Sequence, residues 1–179
     1  MRDIETVWVF DTESSKVEVF IQELAGLRGI PDDLRIAGDP QQAVKGADIL
    51  CLATTSHVPI FQDNDLKPGA HINAVGSYTP EMQEIPGETI KRALVVVDSK
   101  DAVLQETGDI IKPLQEGLIQ EDHIHGEIGD ILLDRLPARA DDKQITCFKS
   151  VGNAVQDVKA AQLALQNAQR ENLGKRVTW

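Results

Sequence analysis

Short apolar runs, rich in β-branched residues, recur through the first hundred positions at residues 6–10, 34–37, 49–53, 71–75 and 94–97, and each has the length and composition of a strand. Between them the apolar residues fall at helical spacing or give way to turn signals. Residues 14–24 open on a serine and carry the spacing of one amphipathic helix, residues 40–46 begin with proline and make a short helical turn, and Lys67-Pro68-Gly69 marks a tight turn into the next strand. Strand and helix alternating through short connections predict βα units on a parallel sheet. From Ala102 onward the pattern changes to helical segments separated by Gly108, Pro113, Gly117 and Gly126. A polar stretch over residues 135–143, with its candidate linker at 137–143, leads to a last strand at 144–148 and a terminal helix at 151–172.

With 179 residues the chain has about the length of one domain, and 41% hydrophobic residues are enough for a packed core. Its 29 Asp and Glu against 18 Lys and Arg leave a net charge of -11. Such a surface repels nucleic-acid phosphates and anionic membranes, so neither is expected as a partner. No apolar stretch approaches the ~20 residues of a membrane span, and residues 1–11 lack the basic-then-apolar order of a secretion signal, which leaves the cytoplasm as the expected location. Cys51 and Cys147 lie inside apolar runs with no His or Cys at ligand spacing, and both are expected to be buried, reduced thiols. His123 and His125 resemble a metal cluster at first sight, but an i, i+2 pair does not share a helical face, so no metal is expected there.

The candidate chemistry begins at Val7-Trp8-Val9-Phe10-Asp11. In a doubly wound nucleotide-binding sheet the second strand ends in an acidic residue that binds the adenosine ribose, about 20 residues after a glycine-rich turn that holds the pyrophosphate. Asp11 has that place at a strand end, although a turn or helix-capping role explains the same residue equally simply. A ribose role would favour NAD, because a carboxylate there repels the 2′-phosphate of NADP and no Arg follows it; NADP stays open. Counting back about 20 residues from Asp11 runs past Met1, and no G-x-G-x-x-G occurs in the sequence. Gly26 and Gly29 follow a helical run and read as a helix C-cap and loop.

Further along, Gly46-Ala47-Asp48-Ile49 leads into a strand ending Ala53-Thr54-Thr55-Ser56, and the next strand continues His71-Ile72-Asn73-Ala74-Val75-Gly76-Ser77-Tyr78-Thr79-Pro80. Then come Val95-Val96-Val97-Asp98-Ser99, Gly108-Asp109, Pro113-Leu114, Gly117-Leu118-Ile119 and Phe148-Lys149-Ser150-Val151-Gly152. Taken in order and with their spacing, these segments resemble the ornithine cyclodeaminase / mu-crystallin family over nearly the whole chain. The resemblance implies an α/β fold, a Rossmann-like doubly wound parallel sheet lacking its first strand and glycine-rich turn, with a helical C-terminal part. It divides the chain into an incomplete NAD(P)-binding portion, residues 1–134, and a portion 135–179 made of exposed linker, last strand and C-terminal helix. Residue by residue, it places Asp11 on the ribose, Thr54, Thr55 and Ser56 along the nucleotide cleft, Val75 and Gly76 under the nicotinamide, and Ser150 and Gly152 closing over it. Serine and threonine at strand ends also cap turns, and Gly152 also fits a role in relieving crowding before the last helix.

The family resemblance implies hydride transfer at a carbon beside a carboxylate, with NAD or NADP as cofactor, a small imino or amino acid as substrate and a homodimer as assembly. Where the cyclodeaminases carry an acid/base aspartate two residues after the strand-ending glycine, this chain has Tyr78, and where they carry a lysine it has Met82. A phenol is a poor base at neutral pH, so reduction of a preformed imine, as in ketimine or 1-pyrroline-2-carboxylate reductases, is the expected activity ahead of ornithine cyclodeaminase or alanine dehydrogenase. No catalytic residue is singled out, and Lys149 is expected to be a solvated lysine. The family's substrate-gripping Arg and Lys have no counterpart here, and Met1 would stand just before the second strand. The sequence therefore reads as a truncated frame, a decayed gene or a fragment, inactive alone, with a non-catalytic remnant or binding protein as the other possibility. Loss of the central first strand would leave the strands on either side with unpaired edges, unless these two close on each other or another chain fills the slot.

Overall fold

A computed structural model describes residues 3–27, 29–175 and 177. Among the described residues seven strands and seven α-helices follow one another in the order β1 (Thr6–Val9), α1 (Ser14–Leu24), β2 (Asp33–Ile36), α2 (Pro40–Val44), β3 (Ile49–Leu52), β4 (His71–Ala74), α3 (Gly87–Arg92), β5 (Leu94–Val97), α4 (Lys100–Glu106), α5 (Gly108–Gln115), β6 (Ile124–Glu127), α6 (Ile128–Leu132), β7 (Thr146–Lys149) and α7 (Ala154–Arg170). Every strand pairing is parallel, as the βα alternation predicts.

The strands form two separate sheets: β1 pairs only with β2, and the other five lie in the order β3-β4-β7-β5-β6. The edges of β1 and β3 expected from the sequence are present, and these two strands share no hydrogen bond. The last strand in the sequence stands at the centre of the larger sheet, hydrogen-bonded to β4 on one side and β5 on the other.

Register decides what the core contains. Leu50, Ile72, Cys147 and Val95 stand side by side across the four adjacent strands, and Leu52, Ala74, Lys149 and Val97 form the next row two residues on. Both rows point to one face, where Ile85, Ile90, Val103 and Ile110 cover them to form a single apolar cluster. The opposite face of β3 is open: Ile49 is 38% exposed and Cys51 is exposed as well. Cys51 therefore departs from the expected burial, because an apolar run is buried on both faces only where both are covered. Cys147 is buried as expected, and burial, reinforced by the nearby Asp109 carboxylate, pushes its thiol up to about 12.

Three further boundaries differ from the sequence expectation. Residues 124–127 form an edge strand where helical segments were expected, since four residues carrying a glycine hold too little periodicity to reveal a strand. The helix α5 continues through Pro113 instead of stopping there. The terminal helix starts at Ala154, capped by the Asn153 side chain, because Val151 and Gly152 are held outside it. Helix α1 begins at Ser14 as expected, but its N-cap is Glu13, whose amide is caught by Asp11. No helix among the described residues is long and apolar enough to cross a membrane.

Two outcomes follow. Ile72, fully buried at the centre of the first row, is expected to cost about 2–5 kcal/mol on truncation to alanine, whereas Ile49→Ala on the open face costs less than about 1 kcal/mol; urea denaturation of both variants measures the difference. A thiol reagent such as DTNB should label Cys51 at once in the folded chain and Cys147 only after denaturant is added; prompt labelling of both would contradict the buried row.

Candidate functional site at the carboxyl edge of the sheet

In parallel sheets the loops after the strands gather at one edge, where ligands bind. Here the loops after β3, β4, β5 and β7 are joined edge to edge beyond the strands themselves. Val75 N–H donates to the Leu52 carbonyl, Ser150 N–H to Ala74 and Asp98 N–H to Lys149. Thr54, Val75, Gly76, Ser150 and Gly152 thus come together along one continuous edge. Asp11 stands at the end of β1, in the smaller sheet, exposed, with its Oδ1 accepting from Glu13 N–H at 2.8 Å. That bond satisfies the turn role considered for it and leaves the side chain accessible to solvent.

Two buried carboxylates that sequence reasoning missed shape this edge. Asp98 ends β5, and its Oδ2 accepts from Ser150 Oγ at 2.7 Å, Gly152 N–H at 2.9 Å and Val151 N–H at 3.1 Å. The Ser150 hydroxyl is engaged internally, and Gly152 takes a φ of +95, which glycine adopts without strain. Glu84 is fully buried in the segment leading to α3. Its Oε1 accepts from Thr54 N–H at 2.6 Å, and its Oε2 from Gly76 N–H at 2.9 Å and Ser77 N–H at 3.1 Å. One side chain therefore ties together the loops after β3 and β4. A side chain at position 76 would collide with the Thr54 backbone and the Glu84 carboxylate, so here glycine is required by the protein's own packing. The three amides are thereby committed to Glu84.

Behind Glu84 lies a third carboxylate. Asp109, buried at the start of α5, accepts from Glu84 N–H at 2.7 Å and Ile85 N–H at 3.0 Å through Oδ1. Its Oδ2 is 3.2 Å from Lys149 Nζ, an ion pair whose angle falls short of a hydrogen bond and which leaves that oxygen without a hydrogen-bonding partner. Lys149 Nζ donates instead to the Ser77 carbonyl at 2.7 Å. Burial pushes the Asp109 carboxyl above the ordinary carboxylate range, against the opposing pull of the Lys149 ammonium and the two amides. Lys149 is thus a core residue and not the solvated lysine expected; its alternation with Ile145 and Cys147 was the signal, since all three fall on one face of the strand. Ser77 Oγ completes the arrangement, donating to the Met82 carbonyl and bonding Thr107 Oγ1, both at 2.8 Å.

The remaining candidates are surface groups. Thr54 and Thr55 are exposed, Thr54 Oγ1 accepting from Ser56 N–H at 3.2 Å, while Ser56 Oγ donates to the Val58 carbonyl at 2.6 Å. Val75 and Tyr78 are about half exposed, at 51% and 54%. His123 and His125 lie apart from this edge in their bonding, each with Nε2 against a backbone carbonyl, of Ile90 and Pro137.

The model of the ornithine cyclodeaminase/mu-crystallin family matches residues 1–172. A Δ1-pyrroline-2-carboxylate reductase from Bacillus cereus is 39% identical over 178 residues, which cover 99% of this chain and 54% of the relative. The ketimine reductase mu-crystallin of Mus musculus is 37% identical over 134 residues, 75% of this chain and 40% of its own length. Among solved structures, the Δ1-pyrroline-2-carboxylate reductase of Thermococcus litoralis, in complex with NADH and L-proline, superposes with a TM-score of 0.91 at 36% identity, covering 98% of this chain and 54% of that one. The chain thus spans about half the length of these relatives.

The buried pair makes a stability prediction. Lys149→Met strands the Asp109 carboxylate and is expected to cost about 3–5 kcal/mol, whereas the double variant D109N/K149M, which removes both charges, should be clearly more stable than the single one. Thermal unfolding of the three proteins measures this, and equal losses would mean that the two charges are not coupled.

Proposed function

The chain belongs to the ornithine cyclodeaminase/mu-crystallin family, and from that premise we propose that it forms the nucleotide-binding portion of an NADH-dependent reductase of small cyclic or linear ketimines, of the 1-pyrroline-2-carboxylate kind. The observation that carries this reading is the close superposition, over 98% of the chain, on a reductase solved with NADH and L-proline. The order of identities points the same way, since the relatives matched over most of the chain are named for imine reduction.

The residues present suit the two ends of a nicotinamide dinucleotide. The exposed Asp11 carboxylate at the end of β1 would accept from the adenosine ribose hydroxyls, and the exposed hydroxyls of Thr54 and Thr55 would border the nucleotide with Ser56 behind them. Val75 presents an apolar, half-exposed surface for the nicotinamide ring, with Gly76 beside it and the Ser150–Gly152 loop, held by Asp98, closing the other side. Because the Thr54, Gly76 and Ser77 amides already serve Glu84, cofactor contacts here fall to side chains and to apolar surface.

NADH, when bound, supplies the hydride that reduces a C=N bond next to a carboxylate. The protein's share is to orient the ring on Val75 and Gly76 and to keep water from it. Tyr78 stands two residues beyond Gly76, where a cyclodeaminase carries an aspartate, and its phenol suits a reaction that begins from an imine already formed and needs no base to make one.

Titration of the purified chain with NADH, followed by fluorescence, tests the reading, with NADPH as control. Micromolar binding of NADH is expected, with NADPH weaker by about tenfold or more, equivalent to ~1.4 kcal/mol. Asp11→Asn should weaken NADH and narrow the gap between the two cofactors. Equal binding of NADPH would remove Asp11 from the ribose site, and no binding of either would overturn the cofactor assignment.

A further inference from the structure

Among the buried groups, Glu84 has a charge that the proposed reaction has not yet used. It lies against the side of Gly76 where a side chain would point, in van der Waals reach of the segment on which the nicotinamide is placed. Its two neighbours in the buried chain of contacts, Asp109 and Lys149, carry opposite charges 3.2 Å apart and neutralise each other. Among the described residues Glu84 forms no ion pair. Its hydrogen-bond partners are three neutral backbone amides, from Thr54, Gly76 and Ser77, and the Lys149 ammonium is linked to it through the Ser77 residue, donating to the Ser77 carbonyl.

Hydride donation converts the neutral dihydronicotinamide ring into a cationic pyridinium: two electrons and a proton leave together, and one positive charge appears on the ring. A fixed anion near that ring would stabilise the product of donation more than the reactant, and a low local dielectric would enlarge the difference. Amide dipoles hold the anion but do not cancel its net charge.

We propose that Glu84 is a positioning residue that holds the nicotinamide platform through the loops after β3 and β4 and biases the bound cofactor electrostatically toward its oxidised form, making bound NADH a stronger hydride donor. This rests on the reading of the carboxyl edge as the nicotinamide site. Glu84 touches neither substrate nor reacting atoms; it acts through Gly76 and Ser77. A residue that only supported the fold would weaken both cofactor forms alike when altered. One that acts through its charge changes their ratio.

The experiment is a separate titration of the purified chain with NAD+ and with NADH, by calorimetry, for the wild type, E84Q and E84D. Glutamine keeps the shape and loses the charge, so E84Q is expected to raise the ratio Kd(NAD+)/Kd(NADH) by about fivefold or more, the effect of one charge at ~4 Å even with the full screening of water. E84D keeps the charge and should leave the ratio close to that of the wild type. Equal weakening of both forms in E84Q, with the ratio unchanged, overturns the electrostatic role while leaving the cofactor site standing. Failure of the wild type to bind either form overturns the site reading, and this proposal with it. Amide hydrogen exchange of the wild type, read by NMR, tests the clamp without any variant or cofactor. The Thr54, Gly76 and Ser77 amides should be protected far beyond what their exposed loops would allow, and rapid exchange at all three would refute the clamp even if E84Q failed to fold.

Discussion

An ammonium group placed in a core row between Ala74 and Val97 has no water to solvate it, and much of the architecture above the sheet is the answer to that problem. Isolated charges are not tolerated at such depth, so Lys149 must meet an anion and a hydrogen-bond acceptor close by. Asp109, brought over the sheet by the start of α5, supplies the anion, and the Ser77 carbonyl supplies the acceptor. Because Asp109 also takes the Glu84 and Ile85 amides, the segment before α3 is fixed to the start of α5. Glu84 then reaches back to the loops after β3 and β4. The contacts form a closed circuit from the central strand through the start of α5 and the segment before α3 and back to the strand ends. A pair of this kind adds little net stability compared with apolar residues of the same size, but it permits one arrangement of the surrounding loops and penalises others.

The same economy of buried carboxylates holds the other side of the edge. Asp98 gathers the Ser150 hydroxyl and the amides of Val151 and Gly152, which keeps these residues out of α7 and turns them back over the sheet. Between Glu84 on one side and Asp98 on the other, the strand-end backbone is held from below by charge-assisted bonds, leaving apolar Val75 and the hydroxyls of Thr54 and Thr55 toward solvent. A platform built in this way suits a flat, partly aromatic cofactor ring better than a phosphate, which would require free amides.

The smaller sheet stands outside this circuit. β1 and β2 pair with each other, and among the described residues their link to the rest runs through α2, whose Val44 enters the main core, and through the Gln41 side chain, which donates to Asp65. Trp8 is partly exposed on β1, with the Arg35 guanidinium over its ring at 5.4 Å, and Ile36 is half exposed on β2. Asp11 is therefore positioned by an element whose packing is independent of the Glu84 circuit, so the two ends of the candidate nucleotide site are held by separate structural units.

Much of the fold was legible in the order of residues. Short apolar runs rich in β-branched residues, joined by short βα connections, define a parallel sheet because composition and connection length are local properties, and the ordered motifs from Val7 to Gly152 carried the family. The positions of Asp11 and of the Thr54, Thr55 and Ser56 hydroxyls beyond the ends of their strands were also visible, since place at a strand end is a local property. What the sequence could not determine is which partners the buried charges find. Lys149 reads as one more surface lysine unless its alternation with Ile145 and Cys147 is combined with the knowledge that β7 lies at the centre of the sheet, and that central place is a fact of long-range pairing. Glu84 and Asp109 lie 25 residues apart and Asp109 and Lys149 forty. Their contacts exist only when β7, the start of α5 and the segment before α3 have assembled, and no local pattern records them. For the same reason the glycine at 76, which the sequence explains by closeness to a ligand, is required in the tertiary structure by the protein's own carboxylate, and Cys51 lies exposed because nothing in the chain's local pattern says which face of a strand will be covered.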